Sequence, residues 1–260
     1  MRTWIKLIVY SFVGLPILSV AQPKQLIISA RSGTAVQTPT THQESNQSTE
    51  STSIETSGGE VNTLPLLNES AKTSDQIDQE IRFLNDCDRN FASRSDASDF
   101  FAARGWDYVD KGQLDTAAHR FNLSWLLNHD NVDAYWGLGV ICYQKNHLTD
   151  AIKILRKGTA IADSNTVLLT DLATVEIKCY QDKPDADMLA EAEAHLHRAV
   201  TLNPNALSFQ KLSVVQFLKA DYPKAWEYFH QARSIDLSSL DLTYLNELLA
   251  KQPDPKGVFK

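Results

Sequence analysis

The chain is poor in the residues that carry out chemistry or staple a fold. It has three cysteines in 260 residues, Cys87, Cys142 and Cys179. That is an odd number without the short spacings of a zinc or disulfide framework, so burial rather than cross-linking must hold the fold. No Walker, dinucleotide or nucleophile-elbow sequence is present, and no Ser, His and Asp set falls together, so no catalytic residue and no cofactor is expected. His195 and His197, two apart on a predicted helix, point to different faces and make a poor metal pair; solvated positions are expected for both. Asp182, Asp185 and Asp187 lack the glycine and closing glutamate of a calcium loop. Positive charge is also short, with 25 Lys and Arg against 32 Asp and Glu and a net charge of -7. Such a surface repels phosphate backbones, which argues against nucleic acid as a partner. Aromatic residues are missing from Gln22 to Arg82, and thirteen of the twenty-eight residues from Ser32 to Gly59 are Ser or Thr. A segment of that kind buries too little apolar area to offset its ordering entropy. Residues 22–73 therefore read as a disordered linker with a reach of about 40 Å, and Leu64-Pro65-Leu66-Leu67 within it as a chance apolar cluster rather than a docking motif.

Ahead of the linker, Arg2 and Lys6 precede an apolar run from Leu7 to Val20 that closes on Ser19-Val20-Ala21. This is the layout of a secretory signal peptide, residues 1–21, cut after Ala21. The run is shorter than the roughly 20 residues needed to span a bilayer, and Gly14 and Pro16 interrupt it. No cysteine stands near the cut to accept a lipid. The expectation is an exported bacterial protein, periplasmic or secreted, which meets a membrane only if the leader is retained.

Beyond the linker the sequence repeats at a spacing of 34 residues. Gly105, Gly139 and Ala173 fall in register, as do Ala117 with Ala151 and Phe121 with Leu155. Periods of this length belong to stacked helical hairpins, in which small residues let two helices approach and large ones fill the adjoining gap. The step from Ala151 to Ala192 is 41 residues, so seven extra residues are expected as a longer loop around Gln181–Asp185. The predicted order is an N-terminal capping helix (74–97) opening at Ser74 with Ile77, Ile81, Leu84 and Cys87 on its inner face. Hairpins at 98–131, 132–165, 166–205 and 206–237 follow, then a C-terminal capping helix (238–251) with Ser238-x-x-Asp241 as capping box, and a tail (252–260).

Tyr135-x-x-Leu138-Gly139, Gly105-x-x-Tyr108, Ala117-x-x-x-Phe121 and Pro204 resemble the signature of the tetratricopeptide repeat family over roughly residues 98–237. The resemblance implies an all-α fold, a right-handed α-solenoid of about four hairpins with capping helices, and a non-catalytic module that binds a protein or peptide. It also implies that the first helix of each hairpin lines a concave groove. The residues so placed are Trp106, Val109 and Asp110; Trp136, Val140, Tyr143 and Gln144; and Thr174 and Ile177, with Ala102, Thr170, Lys178, Gln210, Val214 and Phe217 beside them. The family's carboxylate clamp for chaperone tails is not matched, because Ala102, Trp106, Gly137, Val167 and Asp171 stand at its places. Cys142 takes the place of a packing tyrosine and is expected to be buried and inert; a bridge to Cys179 stays open.

Overall fold

The structure, a computed structural model, describes residues 63–69 and 71–260; the expected leader and most of the expected linker lie outside the described residues. The described chain is all-helical. After a 3₁₀ turn at Pro65–Glu69 come α1 (Ser74–Asn90), α2 (Arg94–Asp110), α3 (Leu114–Leu127), α4 (Val132–Gln144), α5 (Leu148–Ile161), α6 (Thr166–Asp182), α7 (Ala186–Leu202), α8 (Ala206–Leu218), α9 (Tyr222–Ile235) and α10 (Leu242–Lys251). Helices α2–α3, α4–α5, α6–α7 and α8–α9 pair as hairpins, and each hairpin packs on the next.

The small-residue register has a direct steric reading. A Cβ on Gly105 would stand 2.7 Å from the Phe121 ring, one on Gly137 2.1 Å, and one on Gly139 2.5 Å from Leu155. Phe121 therefore lies over two glycines, one on its own hairpin and one on the next. Asn131, Asn165 and Asn205 open α4, α6 and α8, each side chain accepting from the backbone amide three residues on, which satisfies an otherwise orphaned donor. The hairpin turns also recur. Gly112 (φ 71°), Asn146 (φ 62°) and Ala220 (φ 60°) are all left-handed, and the next residue's amide bonds back to Tyr108, Cys142 and Gln216 respectively, closing the preceding helix.

The third hairpin departs from the sequence expectation. Helices α6 and α7 have 17 residues each where α4 has 13 and α5 has 14. All seven additional residues are thus helical, and the connection at Lys183–Asp185 stays short. Asp185 caps α7 by accepting from the Asp187 amide. Helix-forming residues on both sides of Pro184 let the helices lengthen instead of looping out.

Both ends differ from expectation as well. Thr73, not Ser74, caps α1 in a reciprocal box with Gln76. The predicted capping segment breaks at Phe91–Ser93, so α2 begins at Arg94, a turn before its repeat register, under a Ser93 cap. Ile77 and Ile81 are 45% and 50% exposed. Only the far half of α1 reaches the repeats, where Cys87 packs with Ala97 and Leu127 among Phe83, Leu84, Phe91 and Phe101. Order begins earlier than Ser74: Leu66 is buried in the same apolar cluster as Trp106 and Phe121. At the other end Asp241 alone caps α10, and Leu242 is exposed while Tyr244, Leu245 and Leu248 are buried. The tail folds back. Buried Asp254 accepts from His230 Nε2 (2.8 Å) and from the amides of Lys256, Val258 and Phe259. The Phe259 ring stacks on Trp226 and His230. Burial works to raise the Asp254 carboxyl, but these donors outweigh it and hold it at about 2.

Candidate functional site

The helices expected to form the inner face are α2, α4, α6 and α8. Residues four apart on a helix share a face, which brings Ala102, Trp106 and Val109 of α2 beside Trp136, Val140 and Tyr143 of α4. The two indoles meet edge to face at 5.4 Å, and Trp106 meets Phe121 at 5.2 Å. Trp136 Nε1 donates to Asp171 Oδ2 at 2.7 Å, tying α4 to α6. Asp171 is 2% exposed. Burial pushes its carboxyl up to about 7, against the lowering effect of the Trp136 bond and the Lys211 charge. The half-buried Lys211 of α8 is pushed below the usual lysine range by burial, with Asp241 and Asp171 acting in the other direction. Burial also raises the Tyr143 hydroxyl, and the Asp171 and Asp182 charges add to it. The face thus has an aromatic half on α2 and α4 and a polar half on α6 and α8. Thr170 Oγ1 and Ser208 Oγ share a 2.8 Å bond in the polar half, while Gln210 Oε1 accepts from the Asp241 amide.

The nine residues expected to line the groove divide by exposure. Trp106, Val109, Trp136, Val140, Thr174 and Ile177 are buried; Tyr143 and Gln144 are half-buried and Asp110 is exposed. The accessible positions lie toward the C-terminal ends of α2, α4 and α6, where Lys178 pairs with Asp182. Phe217 instead packs against Tyr222 and Tyr244 at the end of the array.

Several polar residues escaped the sequence reading. Lys211 occupies the place on α8 equivalent to that of Asp171 on α6 but gives no motif, and Asp171 enters the sequence reading only as a residue that cannot form the carboxylate clamp. Glu176 is fully buried, accepting from Arg156 Nη2 (3.1 Å) and paired with His195 Nδ1 (2.9 Å); Arg156 also pairs with Glu191. His195 is therefore half-buried in a network between helices rather than solvated. The available signal was a lone charge flanked by apolar residues in Leu172–Ile177. Cys142 and Cys179 are both free thiols, and burial pushes Cys142 up to about 12, which leaves it protonated and unreactive. Among the described residues no group of three or more His, Cys, Asp or Glu is placed to hold a metal, and no helix is long and apolar enough to cross a membrane.

No family model matches the chain, and no curated protein is similar to it. Among solved structures it is similar to PilF of Pseudomonas aeruginosa, at 19% identity, covering 64% of this chain and 79% of that one with a TM-score of 0.50. It is also similar to TTC0263, a thermophilic tetratricopeptide repeat protein of Thermus thermophilus (20% identity, 59% and 87% covered, TM-score 0.49). A third is MamA (19% identity, 63% and 96% covered, TM-score 0.48). At these identities the likeness is one of fold: stacked antiparallel helical hairpins.

Proposed function

We propose that this is an exported, non-catalytic adaptor that holds a segment of a partner protein against the inner face of α2, α4, α6 and α8. The observation that carries the reading is the accessible Tyr143 and Gln144 on α4, held in place by the buried aromatic pair Trp106–Trp136, which the Trp136 bond to buried Asp171 fixes. A half-exposed tyrosine on a rigid aromatic support, with a polar amide beside it, binds a peptide by excluding water from an apolar contact, and Tyr carries a large share of such energy. The partner is a protein or peptide. Nucleic acid is disfavoured by the net negative charge, a chaperone tail by the missing carboxylate clamp, and neither metal nor cofactor enters the reading. Export rests on the composition of residues 1–21 alone.

The test is affinity capture of partners from the native envelope by the wild-type chain and by a Trp136→Phe/Tyr143→Ala variant. Phe keeps the packing and removes the indole donor. A partner recovered by wild type and lost from a variant of unchanged helicity supports the inner face, and equal recovery overturns it.

A second reading, a structural subunit that uses the convex face, draws on a cleft of about 570 Å³ along α5. Ile152, Cys179 and Met188 line it, with Lys153, Arg156 and Lys157 beside them. Equal recovery in the capture experiment favours this reading.

A further inference from the structure

We propose that the face of α3 carrying Asn122 is a peptide-docking site, closed in cis by the Leu64–Leu67 turn, which a partner protein opens by supplying a leucine-rich turn of the same chemistry. The inference does not rest on the inner-face reading, because the turn packs on α3 and the inner face belongs to α2, α4, α6 and α8.

Three observations carry it. First, Leu66 is 4% exposed and belongs to the apolar cluster that includes Ala118, Trp106 and Phe121, so a short turn outside the repeats places a large side chain in the domain's interior. Second, the turn is recognised through its backbone. Asn122 is fully buried on α3, and its Nδ2 donates to the Leu64 carbonyl at 2.8 Å. A buried amide requires an acceptor, and the Leu64 carbonyl, which also accepts from the Leu67 amide at 3.1 Å, meets that need with its second lone pair, as the same carbonyl of any such turn would. Third, the occupant is held in a costly conformation. Leu66 and Leu67 both lie in the left-handed region, with φ of 53° and 51°, where a side chain crowds its own backbone. A competing turn with glycine at the second of these places relieves part of that strain and binds more tightly.

The local sequence also lets the turn leave. Helix α1 is capped by its own Thr73–Gln76 box and by the Lys72–Glu80 ion pair, so its start does not depend on the turn.

The experiment uses a fluorescein-labelled peptide with the sequence of residues 60–70, titrated by anisotropy into the full chain. Leu66→Asp, which places a charge on the buried leucine, is expected to bind the peptide at least about tenfold more tightly than wild type. Adding Asn122→Leu is expected to abolish that gain, and a peptide with glycine in place of Leu67 to bind more tightly still. A Leu66→Asp variant with wild-type helicity and melting that binds no better than wild type overturns the proposal. Should that variant not fold, a site-specific protease sequence replacing residues 70–72 allows the chain to be cut after folding. Displacement of the N-terminal fragment by excess peptide supports exchange, and its retention overturns it. A variant that docks the turn of a second copy, seen as a dimer, also overturns the partner assignment.

Discussion

At the scale of single residues, Phe121 and Asp171 show opposite relations between sequence and structure. The 34-residue register exposes Gly105 and Gly139, because each recurs at its place, but Gly137 lies off that register and its role appears only in three dimensions. A Cβ at Gly137 would fall 2.1 Å from the Phe121 ring, closer than the 2.7 Å at Gly105. Gly137→Ala is therefore expected to destabilise the domain by about 1–3 kcal/mol, the usual range for overpacking a filled core; denaturant unfolding checks it, and an unchanged midpoint refutes it. The burial of Asp171 is not legible in the sequence for another reason: the resemblance places it at a clamp position, but whether a lone carboxylate there is buried depends on neighbours that only the fold supplies. Its folded carboxyl, raised to about 7, lies above the ordinary unfolded value. The chain is then most favoured where Asp171 is protonated in both states, and it loses stability as pH rises from about 4 through about 7. Asp171→Asn keeps an oxygen acceptor for Trp136 and removes the charge. The variant is expected to melt higher than wild type at pH 8 and no higher at about pH 3, below the unfolded carboxyl's range, with about 2–4 °C for each kcal/mol recovered.

At the scale of elements, the seven extra residues of the third hairpin show where sequence spacing stops being informative. Spacing reports that residues are added, but whether they loop out or extend a helix is decided by propensity and by what the new turns bury. Here they prolong α6 and α7, and the pairing of the long helices is tied to α5 through Glu176, Arg156, His195 and Glu191. Glu176 has no solvent exposure while Arg156 is 43% exposed. Removing the guanidinium leaves a buried carboxylate with His195 as its remaining side-chain partner. Arg156→Ala is expected to cost about 1–3 kcal/mol, and Glu176→Gln in that background to return part of the loss, since the amide needs no counter-charge. Thermal melts of the two variants decide: a double variant less stable than Arg156→Ala shows that the pair is not what holds the helices. The caps were legible in kind but not in position. The extra cap provided by the Leu64–Leu67 turn was read as chance because its meaning depends on Asn122, 58 residues away.

At the scale of the whole molecule, the core is a relay rather than a single centre. One cluster runs from the 3₁₀ turn through α2, α3, α4, α5 and α6, a second links α6 to α7, α8 and α9, and a third joins α8, α9 and α10 to Phe259. Each hairpin leans on its neighbours, so stability is shared along the array in nearest-neighbour steps. The repeat period made this architecture readable in advance, because it is a property of spacing. The distribution of accessible surface along the inner face was not readable, because it depends on how deeply Trp106 and Trp136 sink between helices. The ring of Phe121, seated over glycines of two successive hairpins, also sets the grain at which the array can come apart. To open α4 outward, or α2 inward, the molecule must unseat the same ring. Amide protons of α2, α3 and α4 are therefore expected to exchange with solvent as one cooperative unit, with a common sensitivity to denaturant. Phe121→Leu, which no longer reaches both glycines, should split that unit in two and let the first hairpin breathe on its own.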